Sequence, residues 1–163
     1  MTEQEQKVHT ALAALGIPFE RYEHPPIASA VGAEEHWSRI DAVHTKNLFL
    51  RNQKGTQHYL LILGLLKRAD LRSVADQIGD GRLSFGTPER MMTYLGVTPG
   101  SVSPFGLIHD TSRAIRVYLD RDLKTAERIS FHPNINTATL VLAFGDFERF
   151  LTSRGNPVRY LVV

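Results

Sequence analysis

Two apolar, β-prone runs, Asn47 to Arg51 and Tyr59 to Leu63, are joined through Asn52-Gln53-Lys54-Gly55, a loop whose composition suits a hairpin. This hairpin anchors the sheet. Apolar residues also recur at helical spacing before and after it. Val8, Leu12 and Leu15 share one helical face ahead of Gly16 and Pro18, and Leu71, Val74, Ala75 and Ile78 do the same between Asp70 and Gly79. Thr87-Pro88-Glu89 is a helix start with a hydroxyl cap, a proline at the first helical position and a carboxylate in the first turn, and Gly96 ends it. Asp146 to Ser153 reads as a last helix before Gly155.

Further strands are predicted at Phe19–Glu23, Leu83–Phe85, Phe105–Ile108, Ile115–Leu119, Ala138–Ala143 and Tyr160–Val163, and a short helix at Ser29–Ser38. Hairpins mix with helices without strict alternation of strand and helix. The expected fold is therefore α+β: one domain over residues 1–163, with a mixed, mainly antiparallel central sheet flanked by helices.

At 163 residues and 42% hydrophobic content, one well-filled core is expected. No cysteine is present, which excludes disulfides, thiolate nucleophiles and sulfur-ligated zinc, and a reducing cytoplasm is the expected location. No run approaches the length of a membrane span, and the start Met1-Thr2-Glu3-Gln4-Glu5 is unlike a targeting peptide. A net charge of +2 permits RNA contact without demonstrating it.

The common nucleotide-binding, serine-hydrolase and metalloprotease templates are absent. His9, His24, His36, His44, His58, His109 and His132 show no metal-binding spacing, so neither metal nor cofactor is expected. Chemistry is left to three places: Lys46 at the entrance to the first apolar run, the loop Gly100-Ser101-Val102-Ser103-Pro104, and His132 in Phe131-His132-Pro133-Asn134. A lysine at a strand entrance offers a cationic donor, and a glycine-containing loop offers backbone N–H groups to an anion.

Taken together, His44-Thr45-Lys46-Asn47-Leu48-Phe49-Leu50, Gly81-Arg82-Leu83-Ser84-Phe85, Leu95 to Leu107 and Phe131-His132-Pro133-Asn134 resemble, in this order, the freestanding prolyl-tRNA editing proteins. These form the Ala-tRNA(Pro) deacylase group of the YbaK-like superfamily, related to the insertion domain of prolyl-tRNA synthetase. Nearly the whole chain is covered. The stretch from Ser29 to Arg39 departs from the acidic, alanine-rich helix expected there, Leu63-Gly64-Leu65-Leu66 replaces a more polar turn, and His109-Asp110 replaces asparagine-aspartate.

The resemblance implies hydrolysis of a mischarged aminoacyl ester on tRNA(Pro), with alanine foremost. A cysteinyl or other small aminoacyl ester and a noncatalytic tRNA- or protein-binding role are the alternatives. The acceptor end of tRNA is the implied partner, with prolyl-tRNA synthetase or an elongation factor alongside. Lys46 takes the catalytic position, as a charged donor or as a general base. Asn47, Gly100, Ser101, Val102, Ser103, Pro104 and His132 take substrate-binding positions.

Overall fold

The computed structural model describes residues 1–26 and 37–163; the helix expected at Ser29–Ser38 falls almost wholly outside the described residues. The element order is α1 (Glu3–Ala14), β1 (Glu20–Glu23), β2 (Val43–Asn52), β3 (His58–Gly64), α2 (Leu71–Ile78), β4 (Leu83–Phe85) and α3 (Pro88–Leu95). It continues with a 3₁₀ turn (Pro104–His109), β5 (Ile115–Asp120), a second 3₁₀ turn (Arg121–Thr125), β6 (Arg128–Phe131), β7 (Ala138–Ala143), α4 (Phe144–Arg154) and β8 (Val158–Leu161).

The strands form one sheet in the order β1-β7-β6-β2-β3-β5-β8, with β4 attached to β2. Four of the seven pairings are antiparallel and three are parallel, so the mixed sheet expected from the sequence is present. The β2–β3 hairpin is its centre. Successive strand residues point to opposite faces, and both faces here are covered. Phe49, Leu60 and Ile62 turn toward a core shared with α1, the first 3₁₀ turn and α4. Leu50, Tyr59, Leu61 and Leu63 turn the other way, against Val74 and Ala75 of α2.

Local chemistry sets the helix ends. Asp70 accepts from the N–H groups of Arg72 and Ser73 at the start of α2, and Thr87 caps α3 through Arg90 N–H, with Pro88 in the first turn. Gly96 closes α3 and hands the chain to the Pro99–Gly100 loop.

The sequence expectations need four corrections. Phe105–Ile108 is not a strand but part of a 3₁₀ turn. Ser103 Oγ accepts from Phe105 N–H, Pro104 has no N–H to give to a ladder, and Gly106 N–H donates to Ser103 carbonyl; a short apolar run alone does not reveal this. The strand β6 went unpredicted, and β8 begins and ends earlier than Tyr160–Val163. Lys46 lies at the fourth position of β2, not at its entrance, because the strand already starts at Val43.

Candidate functional site

The two edges of β2 are used differently. One edge is paired with β3 continuously from Thr45 to Arg51. The other is shared: β6 runs beside Val43 and His44, and β4 beside Leu50 to Asn52. The Thr45 hydroxyl donates to Ser130 carbonyl at 2.8 Å where the first pairing ends, and Phe49 carbonyl accepts from Gly86 N–H at 2.8 Å where the second begins. Between them the sheet is open at Lys46, Asn47 and Leu48.

A cavity of about 310 Å³ occupies this opening. Because it passes through the gap, it collects side chains that alternation sends to opposite faces, and Lys46 and Asn47 both line it. Gly100 and Val102 reach it from the loop after α3, and His132 from the end of β6. The structure thus brings together five of the eight residues singled out in the sequence. Ser101, Ser103 and Pro104 are buried beside it without lining it. Ser101 N–H donates to Thr98 carbonyl, and Ser103 caps the 3₁₀ turn.

Gly100 has φ +90°, a conformation that L side chains rarely adopt, and it brings bare backbone to the cavity. Lys46 has no ion-pair partner among the described residues, and none of the described residues lining the cavity carries a carboxylate. Burial, with the charge of Arg68 second, lowers its pKa from the ordinary lysine value.

The protonation of His132 is set by its partner. Its Nδ1 lies 3.0 Å from Ala138 carbonyl, and a carbonyl only accepts, so Nδ1 carries the hydrogen and the neutral ring keeps a lone pair on Nε2. Burial pushes its pKa down; the Ala138 carbonyl opposes this and His24 adds to it. The neutral form is therefore favoured.

The remaining walls went unread in the sequence. Trp37, the one tryptophan of the chain, stacks on His44 at 5.6 Å between centroids and stands 6.1 Å from His132. His44 holds this arrangement: its Nε2 donates to Trp37 carbonyl and its Nδ1 meets Ser130 Oγ at 2.8 Å. Phe85 lines the mouth while 58% exposed, an unusual amount for a ring that gains stability by burial; that exposure is invisible in a sequence. Phe49 is fixed from behind by His58, stacked at 5.4 Å. His58 Nε2 accepts from the Arg90 guanidinium at 2.9 Å. A side chain on Gly86 would collide with the Phe49 ring, so glycine lets β4 close against this wall.

Comparison with known proteins shows the family. Residues 24–150 match the model of the aminoacyl-tRNA editing domain family. The chain is 36% identical over 158 residues to the prolyl-tRNA editing protein ProX of Acetoanaerobium sticklandii, covering 94% of each. It is 31% identical to the prolyl-tRNA synthetase associated domain-containing protein 1 of Bos taurus, covering 89% of this chain and 86% of that one. A solved structure described as a candidate trans-editing enzyme for prolyl tRNA synthetase shares the fold, with a TM-score of 0.75 at 24% identity over 100% of this chain and 99% of that one. With its family model spanning the open edge of β2, the Gly100 loop and His132, the chain belongs to the aminoacyl-tRNA editing domain family.

Proposed function

We infer that the chain, as one editing domain over residues 1–163, is a freestanding deacylase that hydrolyses the ester of mischarged tRNA(Pro), Ala-tRNA(Pro) foremost. The observation that carries this reading is Lys46, a cation without a counter-ion among the described residues, beside Asn47 in the open edge of β2 and in one cavity with Gly100 and His132. The need for such an enzyme is physical. A synthetic site that fits proline cannot reject a smaller amino acid strongly, since a missing methylene changes binding by only about 1–3 kcal/mol, and a second site that hydrolyses small products makes up the difference.

An aminoacyl ester is already activated. The protein has to hold its carbonyl, admit water and stabilise the oxygen as it becomes an oxyanion. Lys46 is the donor to that oxygen, and with no carboxylate among the described lining residues its charge is not spent on one of them. Gly100 and Val102 form the wall against which the acyl group lies, and His132 lines the same cavity. Water is the nucleophile, because the chain has no cysteine and the Thr45 hydroxyl lining the cavity is already donating to Ser130 carbonyl.

The acceptor end of the tRNA is the partner. No described helix is long and apolar enough to cross a membrane. Action in trans, in the cytoplasm beside prolyl-tRNA synthetase or an elongation factor, completes the proposal.

The test is deacylation of Ala-tRNA(Pro) beside Pro-tRNA(Pro), Cys-tRNA(Pro) and Ala-tRNA(Ala). Lys46-dependent loss of alanine from tRNA(Pro), about 10²–10³-fold slower in Lys46→Ala, supports the reading. Faster release of cysteine than alanine reassigns the substrate, and inactivity of the folded wild type on all four substrates overturns the proposal.

A further inference from the structure

Asn47 combines three properties that packing does not explain. Its side-chain Oδ1 is buried and has no hydrogen-bond partner among the described residues. It lines the cavity. Its backbone also faces the opening: Phe49 carbonyl points to the β4 edge, and groups two residues apart in a strand share an edge, so the N–H and C=O of Asn47 turn into the gap where neither β6 nor β4 reaches. A buried acceptor without a donor is costly, and here it coincides with the one stretch of β2 that no strand covers on that side.

The neighbouring residue sharpens the chemistry. Lys46 pairs with Leu63 and Asn47 with Ile62, so their side chains leave opposite faces of β2 although their Cα atoms are one peptide apart. The cavity thus receives a cationic donor from one face and neutral acceptors from the other. An aminoacyl ester carries the complementary pair, a carbonyl oxygen that accepts and, one carbon away, an amino group that donates.

Resting on the deacylase reading above, we propose that Asn47, through its Oδ1 and backbone carbonyl, is the receptor for the free α-amino group of the aminoacyl ester, and that it restricts the enzyme to esters with an unblocked amine. The described residues of the lining include no carboxylate, which fits this assignment. A carboxylate would neutralise Lys46, whereas neutral acceptors hold the amine in either protonation state. That matters for a group that titrates near neutrality, at about 7.7–8.0 in a chain terminus. The His132 Nε2 lone pair is a further acceptor in the lining.

The test compares three esters on tRNA(Pro): alanyl, N-acetylalanyl and propionyl, each rate divided by that ester's own hydrolysis rate in buffer. The wild type should hydrolyse the alanyl ester about 10–100-fold faster than either of the others, the effect of one hydrogen bond to a charged or strongly polar group. Asn47→Ala should lose most of the alanyl rate and with it the preference over the other two, and Asn47→Asp, which keeps the acceptor but neutralises Lys46, should slow all three esters while retaining the preference. Equal normalised rates on all three esters with the wild type, a result that needs no variant to fold, overturn the amino-group assignment while leaving the deacylase reading intact. A folded wild type inactive on the alanyl ester overturns both.

Discussion

Two polar clusters in this protein have opposite characters. At Glu5, on α1, the carboxylate is fully buried and fully matched: Arg21 donates to both of its oxygens, at 2.5 and 3.0 Å, and His9 approaches at 2.9 Å. Burial raises the carboxyl pKa, but the hydrogen bonds and charges of Arg21 and His9 outweigh it and hold the group below its ordinary value. At the open edge of β2, Lys46 has no counter-ion among the described residues and Asn47 Oδ1 has no donor. The first cluster has nothing left to offer a ligand, and the second offers a donor and an acceptor in one cavity. An orphan atom alone does not separate the two kinds, since Gln4 Oε1 and Arg154 Nε are also without partners yet line no part of this cavity. The site is marked by coincidence: unmatched polar groups, a cavity and a break in the sheet.

The contrast is breakable at each end. The largest stability effect belongs to the matched cluster. Arg21→Ala strands a buried carboxylate, and equilibrium denaturation should show a loss of about 3 kcal/mol, with the deacylation rate per folded molecule unchanged. A variant that keeps its stability but loses turnover places Glu5 and Arg21 in the functional machinery and breaks the comparison.

Next comes Gly100→Ala. The new Cβ meets only ordinary contact, 3.8 Å from Asn136 Nδ2, so the cost is backbone strain at φ +90°, about 1–2 kcal/mol. If the loop gives way to relieve it, the alanyl ester rate falls while stability is kept; unchanged rate and stability together would show that this conformation is dispensable.

The smallest effect is in pH. Burial, reinforced by Arg90 and Arg51 and opposed by Asp110, depresses the His58 pKa below 6.5, and His132 is depressed as well. Between the ordinary and the lowered values the unfolded chain binds more protons, so stability is full above about pH 6.5 and declines on acidification toward the folded values. The Glu5 contribution is retained further and is lost only as pH falls below 4.5 through its own lowered value. Thermal melts across pH 4 to 8 should show the histidine decline first; melts that are flat from pH 7 to 5 would contradict it.

Much of this was legible in the sequence because it is local. Periodicity and caps located α1, α2, α3 and α4, and the Asn52–Gly55 loop located the central hairpin. The combination of Lys46, the Gly100 loop and His132 was legible as a set through family resemblance. What escaped depends on contacts distant in the chain. Nothing in Arg128–Phe131 announces that β6 will run parallel to β2 for two residues and stop, yet that early stop opens the site. Phe105–Ile108 looked like a strand because Phe105, Leu107 and Ile108 form a short apolar run without a period, and Ser103, Pro104 and the Gly106 N–H set a 3₁₀ turn instead. Trp37 stood in the Ser29–Arg39 stretch that departs from the family pattern, and only the structure shows it stacked on His44.

The most direct measurement is made on Lys46→Met, which keeps the length of the side chain and removes its charge: the single-turnover deacylation rate of Ala-tRNA(Pro) and the melting temperature of the same preparation. The account predicts a rate lower by about 10²–10³-fold with a melting temperature unchanged or raised, since no ion pair is lost. A melting temperature that falls, with a rate per folded molecule equal to the wild type, would make Lys46 a structural residue and contradict the account.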